Sequence, residues 1–350
     1  MTRSIDSRPL MRRLFEPRRL GTIALAPKVF TYAVLGTWTL IVLFPIYWVL
    51  VTSFKIEVQV DSGPYYLPFV DFAPTLDAWT FMLLQNNTPG PYVNSIVVAL
   101  ASTFLALLIG SLAAYALVRI RFQVKLAAVL TFIVLVVGVV IAVAALEVPW
   151  PAAVATAIVL FLLALNTYVR RFNAAVGNND IEFWMISNRI MPPIVAVLPI
   201  YVMFQHLKLL DTRMALIATY TGVNLPIVVW LTRDFFAGIP LDLEESAEID
   251  GASKFRVFFT IALPLVRSGL AATFMLVLIL TWNEFLLALF LSNANAQTMP
   301  VLVAAQNTTR GPQWWYMSVL IVIMIAPVIA IAALLQKHIA RGLLVGAVKG

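Results

Sequence analysis

The stretch DFFAGIPLDLEESAEIDGASKFRVFFTIALPLVR, Asp234 to Arg267, is the one long polar passage in the apolar second half of this 350-residue chain. Its residues read as a helix, a turn and a second helix. Pro240 can take the first position of a short helix, where its missing N–H costs nothing. Asp242, Glu244 and Glu245 follow in the opening turns, where the helix dipole favours acids. Asp250-Gly251 is a stop signal, because glycine tolerates the left-handed backbone just past a helix end. Ser253 can cap a second helix bearing Phe255, Phe258, Phe259 and Ile261, and Pro264 is expected to close it. By residues alone, the same stretch is equally an amphipathic loop lying on a membrane surface.

The flanks decide what kind of chain this is. Apolar residues make up 61% of it and charged ones only 12%, with a mean hydropathy of +0.92. A soluble domain carries about a quarter charged residues, so the solvent is lipid. Spanning helices need roughly 20 mainly apolar residues. Eight runs fit that requirement: Tyr32–Thr52, Ser95–Val118, Leu126–Leu146, Ala152–Tyr168, Ile190–Phe204, Ala215–Leu231, Leu270–Leu291 and Tyr316–Leu335. The fifth and sixth are the shortest and are interrupted by proline or glycine. The expected fold is an all-α integral membrane protein of about eight transmembrane helices.

Charge tests that count independently. With the N-terminus inside and eight crossings, 20 of the 24 Lys and Arg residues fall on the cytoplasmic side, as the positive-inside rule demands. Only Lys55, Lys208, Arg213 and Arg310 fall outside. Residues 1–30 then form a cytoplasmic basic arm near anionic headgroups, without the apolar core of a cleaved signal. Residues 55–93 form an external loop, and both termini are cytoplasmic. The net charge of +7 belongs to this topology rather than to nucleic-acid binding. The chain has no cysteine, which excludes disulfides, thiolate metal sites and cysteine nucleophiles. His206 and His338 are far apart and read as neither ligand nor base.

Spacing inside the opening stretch then becomes specific. Glu245-Ser246-Ala247, three residues, Gly251, nine residues, and Ile261-Ala262-Leu263-Pro264 resemble the EAA loop of ABC importer permeases, with Ser246 the one departure. Tyr92-Val93-Asn94-Ser95, Ala113 to Arg119, Met191-Pro192-Pro193, Leu198 to Tyr201, Trp282 to Phe285 and the tail Gly342 to Gly350 are similar to the carbohydrate branch typified by the maltose permease subunits. The resemblance covers most of residues 31–350. It implies a six-helix type I importer core, in which residues 122–180 are two additional helices and residues 234–267 are the coupling loop.

The resemblance also implies a division of labour. No lysine is followed by serine or threonine, so a phosphate loop ending Gly-Lys-Ser/Thr is absent. ATP and its magnesium belong to two partner ATPase subunits, and this chain carries no cofactor or catalytic residue of its own. The remaining implied partners are a second permease subunit, an extracytoplasmic solute-binding protein and membrane lipid. The implied coupling residues are Glu244, Glu245, Ser246, Ala247, Asp250, Gly251, Phe258, Ile261, Leu263 and Pro264, with Lys349 a further ATPase contact in the tail. The implied location is the bacterial inner membrane, and the implied cargo a sugar or sugar-like solute.

A solute path is sought among ionisable groups within spans. Glu284 is the one acid well inside a span, beside Trp282 and Asn283, and Asn224 lies in a proline-broken span. These four either contact solute or tie helices together. The competing class, a stand-alone secondary transporter driven by an ion gradient, would need more intramembrane carboxylates or paired broken helices. A membrane enzyme would need clustered His, Asp or Glu. The sequence shows neither pattern.

Overall fold

The computed structural model describes residues 24–309 and 311–347. Of the expected basic arm 1–30, residues 1–23 lie outside the described residues, as do Arg310 and the tail residue Lys349, whereas residues 25–30 already belong to the first helix. Compactness divides the chain into two units, one of residues 1–89 with 302–327 and one of residues 90–301 with 328–350.

In the first unit, α1 (Leu25–Thr52) is a 28-residue apolar helix, long enough to span a membrane. In lipid a lone segment must satisfy every backbone group internally, and only a helix does so. The expected external loop follows as short helices, Glu57–Asp61 and Asp77–Thr80. It is pinned by Lys55, which is buried: its Nζ donates to the Tyr65 carbonyl at 2.7 Å and lies 4.3 Å from the Trp48 ring centre. Burial pushes the Lys55 ammonium below its usual pKa, with the Asp71 charge opposing that shift.

The second unit opens with α2 (Pro89–Arg119), followed by α3 (Leu126–Ala145) and α4 (Trp150–Asn166). A two-residue antiparallel ladder closes the base of the α3–α4 pair, β1 (Val124–Lys125) on β2 (Ala175–Val176). Asn178 fastens that base to the end of α2, donating to the carbonyls of Leu117 and Ile120 and accepting from Phe122 N at 2.8 Å. The chain thus leaves the end of α2 and returns beside it at one point.

The rest of the unit is α5 (Asn178–Ile190), α6 (Pro193–His206), α7 (Arg213–Ala237), α8 (Leu241–Ile249), α9 (Lys254–Val257), α10 (Arg267–Trp282), α11 (Leu286–Leu291) and α12 (Met299–Ala304). The long α13 (Trp314–Ala347) ends the described chain. Helix α7 is central and packs on α5, α10 and α11. Gly110 allows α2 to meet it: a Cβ there would lie 2.5 Å from Val228, the close approach that small residues permit between membrane helices.

Six of these helices are long and apolar enough to span a membrane, and eight spans result if each of two bent pairs counts as one. The expected fifth span, Ile190–Phe204, is one of the bent pairs. Its helix starts only at Pro193, after an 89° bend from α5, because Pro192 and Pro193 cannot continue a hydrogen-bonded turn. The expected seventh span, Leu270–Leu291, starts earlier, at Arg267, and breaks at residues 283–285. Two expectations within Asp234–Arg267 also shift. Helix α8 begins at Leu241, with Pro240 just before it. Pro264 does not end the second arm, which runs to Leu265 and then turns by 81° into α10. A wide turn at residues 258–262, where Leu263 N bonds to the Phe258 carbonyl, relaxes the usual clash between a proline ring and the preceding turn.

Candidate functional site

Two polar regions of the second unit hold the residues singled out above. The first is the α8–α9 loop. Gly251 has a φ of +86°, the left-handed turn its position required, and Ser253 Oγ accepts from Arg256 N to start α9. Neighbouring acids face opposite ways. Glu244 is 3% exposed. Its Oε2 accepts from Tyr115 Oη at 2.7 Å, and its Oε1 accepts from Arg119 Nε at 2.9 Å and Nη2 at 2.7 Å. The same Nη2 donates to the carbonyls of Phe236 and Ile239 near the end of α7. One guanidinium therefore bolts α8 to α2 and α7 together, beside an aromatic cluster in which Tyr115 packs on Phe236 and Phe258 at centroid distances of 5.6 and 5.2 Å.

This placement separates the expected coupling residues. Glu244 is turned inward and its carboxylate is fully occupied, so it holds the loop in place instead of presenting a charge. Phe258 is 1% exposed and belongs to the protein's own core, not to an outward aromatic arm. Ala247, Ile261 and Leu263 are half-buried, whereas Glu245, Ser246, Asp250, Gly251 and Pro264 are exposed. Ile249 at 86% and Phe255 at 69% are bare apolar surface beside them.

The second region surrounds the break after α10. Glu284 is half-buried, and its Oε1 accepts from Leu287 N at 3.0 Å, capping α11. The carboxylate thus explains why the apolar run from 270 to 291 is not one helix. Trp282 is buried and meets the Tyr92 ring edge-on at 6.4 Å. Asn283 is exposed and bonds only within its own helix, to the Ile279 carbonyl. Asn224 is buried, and its amide is spent on the Tyr220 carbonyl and on Thr281 Oγ1 at 3.2 Å, tying α7 to α10.

Trp282 and Glu284 are brought together in the wall of a small cavity of about 10 Å³, shared with Ser95, Val98, Tyr220, Thr281 and Thr298. That is room for about one water. Among the described residues, Tyr220 Oη and Thr298 Oγ1 are buried without a hydrogen-bond partner. Hydroxyls of this kind carry a desolvation cost of about 1–3 kcal/mol each until something bonds to them. Sequence reading missed both, because a lone tyrosine or threonine carries no spacing signal. It also missed the role of Arg119, which it read as topological charge and as the end of the Ala113 to Arg119 stretch, without a partner in Glu244.

One edge of this region is held from outside the spans. Asp211, at φ +57° before α7, accepts from the amides of Asn293 at 2.8 Å, Asn295 at 3.0 Å and Ala296 at 2.9 Å. Burial alone would raise its pKa, but these backbone donors outweigh burial and hold the carboxyl below its usual value.

With this geometry in hand, comparison with known proteins is decisive. Residues 135–345, more than half the chain, match the family described as "binding-protein-dependent transport system inner membrane component". The chain belongs to this family. A probable ABC transporter permease protein of Sinorhizobium fredii is 30% identical over 319 residues, covering 89% of this chain and 95% of that protein. The trehalose/maltose transport system permease protein of Thermococcus litoralis is 30% identical over 317 residues, covering 89% and 93%. The diacetylchitobiose uptake system permease protein of Streptomyces coelicolor is 26% identical, covering 89% and 85%. The fold is shared with a chain of the crystal structure of a bacterial ABC transporter involved in the import of the acidic polysaccharide alginate, at a TM-score of 0.57, 21% identity, and coverage of 89% and 96%. As a member of the family this chain is a multi-pass inner-membrane permease subunit, and ATP hydrolysis belongs to a separate ATPase subunit.

Proposed function

We propose that this permease subunit imports a carbohydrate delivered by a binding protein, and that the exposed side of the α8–α9 loop is where the ATPase drives it. One observation carries the coupling assignment. Within a dozen residues, Glu244 is locked into the body of the protein while Glu245, Ile249, Asp250 and Phe255 are left facing out. A docking surface with an apolar centre and acidic rim is thereby mounted on a rigid bolt. Motion imposed on it passes to α2 and α7 through Arg119, and to α10 through Leu263 and Pro264. The carbohydrate assignment rests on the named cargoes of the Thermococcus and Streptomyces relatives. In the full assembly a second permease subunit completes the pathway, and two ATPase subunits bind ATP and magnesium on the side where both termini and the loop lie. Asn224, Trp282 and Glu284 border the path, with Asn224 acting as helix tie and Glu284 as cap.

The test is uptake in reconstituted vesicles. Glu245→Lys replaces attraction with repulsion at the docking surface, where an unpaired charge costs about 2–5 kcal/mol. Gly251→Val forces a β-branched residue into a positive-φ turn. Both variants should assemble in the membrane yet lose at least about tenfold in uptake, with the ATPase dissociated or cycling without transport. Lys254→Gln removes only an exposed pair with Glu248, worth at most about 1 kcal/mol, and should transport normally. Normal uptake by both loop variants with the ATPase bound would remove the coupling role. A cysteine at position 250 should resist an impermeant thiol reagent added outside intact cells, and labelling there would reverse the orientation.

A further inference from the structure

We propose that the α3–α4 hairpin is a binding site for an anionic phospholipid, with the phosphate at the arginines of the hairpin base and an acyl chain between the helices. The groove between α3 and α4 has a volume of about 680 Å³ and is walled by residues including Leu126, Leu130, Val134, Leu160, Tyr168 and Phe172. That is within the usual span of small-molecule sites, roughly 300–1,000 Å³. A polar contact across it, between the hydroxyls of Thr131 and Tyr168, lies toward the base. A second cleft of about 320 Å³ shares Leu135, runs toward the tip between Phe132 and Phe161, and is wholly apolar. The hairpin is thus graded from polar base to apolar tip, as a phospholipid is from head to tail.

Charge selects the headgroup. Arg121, Arg170 and Arg171 are exposed at the base, each within a few residues of β1 or the groove wall. None is in an ion pair among the described residues. Arg170 Nη2 donates only to the neutral Asn166 Oδ1, and Lys125 Nζ is held by the Arg170 carbonyl at 2.7 Å. The acids that could compete are already committed. Asp180 accepts from Gly177 N at 2.8 Å, Glu182 pairs with Arg233, and Glu244 pairs with Arg119. Glu147 sits at the far tip, beyond the end of α3. Three unpaired guanidiniums at the mouth of an apolar groove fit a phosphodiester with an attached chain better than a neutral or zwitterionic lipid. The β1–β2 ladder and Asn178 keep the mouth in one geometry, so little ordering is needed on binding.

The test uses the full chain assembled with its partner subunits and purified in mild detergent, with retained lipid quantified by native mass spectrometry. Phosphatidylglycerol should be retained over phosphatidylcholine, and Arg170→Gln/Arg171→Gln should lower retention about tenfold. Leu130→Trp fills the groove while leaving the arginines in place, and should lower retention comparably in a complex that still assembles. Equal retention of the two lipids, or undiminished phosphatidylglycerol in either variant, would overturn the proposal. So would thermal protection by inorganic phosphate equal to that by phosphatidylglycerol, which would make this a small-anion site. Cross-linking of Leu130→Cys to a partner subunit would assign the groove to protein instead of lipid.

Discussion

The two polar regions of the permease core use opposite bookkeeping for their hydrogen bonds. At the α8 bolt every lone pair in use has a donor: Glu244 takes three bonds, and Arg119 also serves two carbonyls. At the cavity beside α10, Tyr220 and Thr298 hold buried hydroxyls with no partner among the described residues. A satisfied buried network fixes one arrangement, and a half-satisfied one is a standing cost. The bolt holds α8, α2 and α7 in one arrangement. Under the proposed function, the cavity is where a hydroxyl-rich solute would gain most by supplying the missing bond.

The largest expected effect breaks the bolt. Arg119→Met leaves Glu244 buried without its cation, which costs about 3–5 kcal/mol. The expected result is a steep fall in the detergent melting temperature and in the yield of assembled complex. Replacing both partners, Arg119→Met with Glu244→Leu, should recover much of that stability, since no buried charge is orphaned. The complex assembled with the recovered protein should still hydrolyse ATP through its ATPase subunits but show weakened uptake, because α8 is no longer tied to α2. Unchanged melting in the single variant would show that the bolt is not under load.

A smaller change sharpens the same point. Tyr115→Phe removes one donor from Glu244 Oε2 and should destabilise by about 1–3 kcal/mol. The ring itself stays, so its packing on Phe236 and Phe258 is kept. The drop in melting temperature then reports the hydroxyl alone.

How much of this could be read from sequence depends on the range of the interactions. The turn at Gly251 and the cap at Ser253 were legible because their causes are local, within three residues. Helices α1, α2, α4 and α7 were legible because lipid leaves a long apolar run no alternative. The break at residues 283–285 was not, since hydropathy averages over a single carboxylate that caps the next turn. The inward aim of Glu244 was hidden for a different reason. Its partner is 125 residues away, and on the helix only its neighbour Glu245 fits the family spacing.

Asp211 offers an intermediate effect with a pH signature. Its carboxyl is depressed in the folded protein, so its contribution is fully present above the ordinary carboxylate pKa of about 3.9. It is lost as pH falls through the lower folded value. Asp211→Asn should cost about 1–2 kcal/mol near neutral pH. The gap in melting temperature between wild type and variant should hold steady down to about pH 4 and narrow below it. A gap that stayed constant to pH 3 would mean that shape, not charge, secures the 293–296 loop.

The smallest effect on stability is expected at the cavity, and it separates the two regions most cleanly. Tyr220→Phe deletes a hydroxyl that has no partner, so it should leave the melting temperature unchanged or raise it slightly, opposite in sign to Tyr115→Phe. Its effect on transport should run the other way. If the proposed path runs past this cavity, a hydroxyl unpaired here and bonded by a passing sugar contributes to the solute-bound state alone, and losing one such bond weakens it by about 0.5–1.5 kcal/mol. The apparent KM for uptake should therefore rise a few-fold. Glu284→Gln should act alike, because the amide oxygen can still cap Leu287 while the charge facing the cavity is gone. Loss of folding in Glu284→Gln would reduce Glu284 to its capping role. A Tyr220→Phe protein with unchanged KM would mean that the cavity is merely imperfect packing and that the solute passes elsewhere.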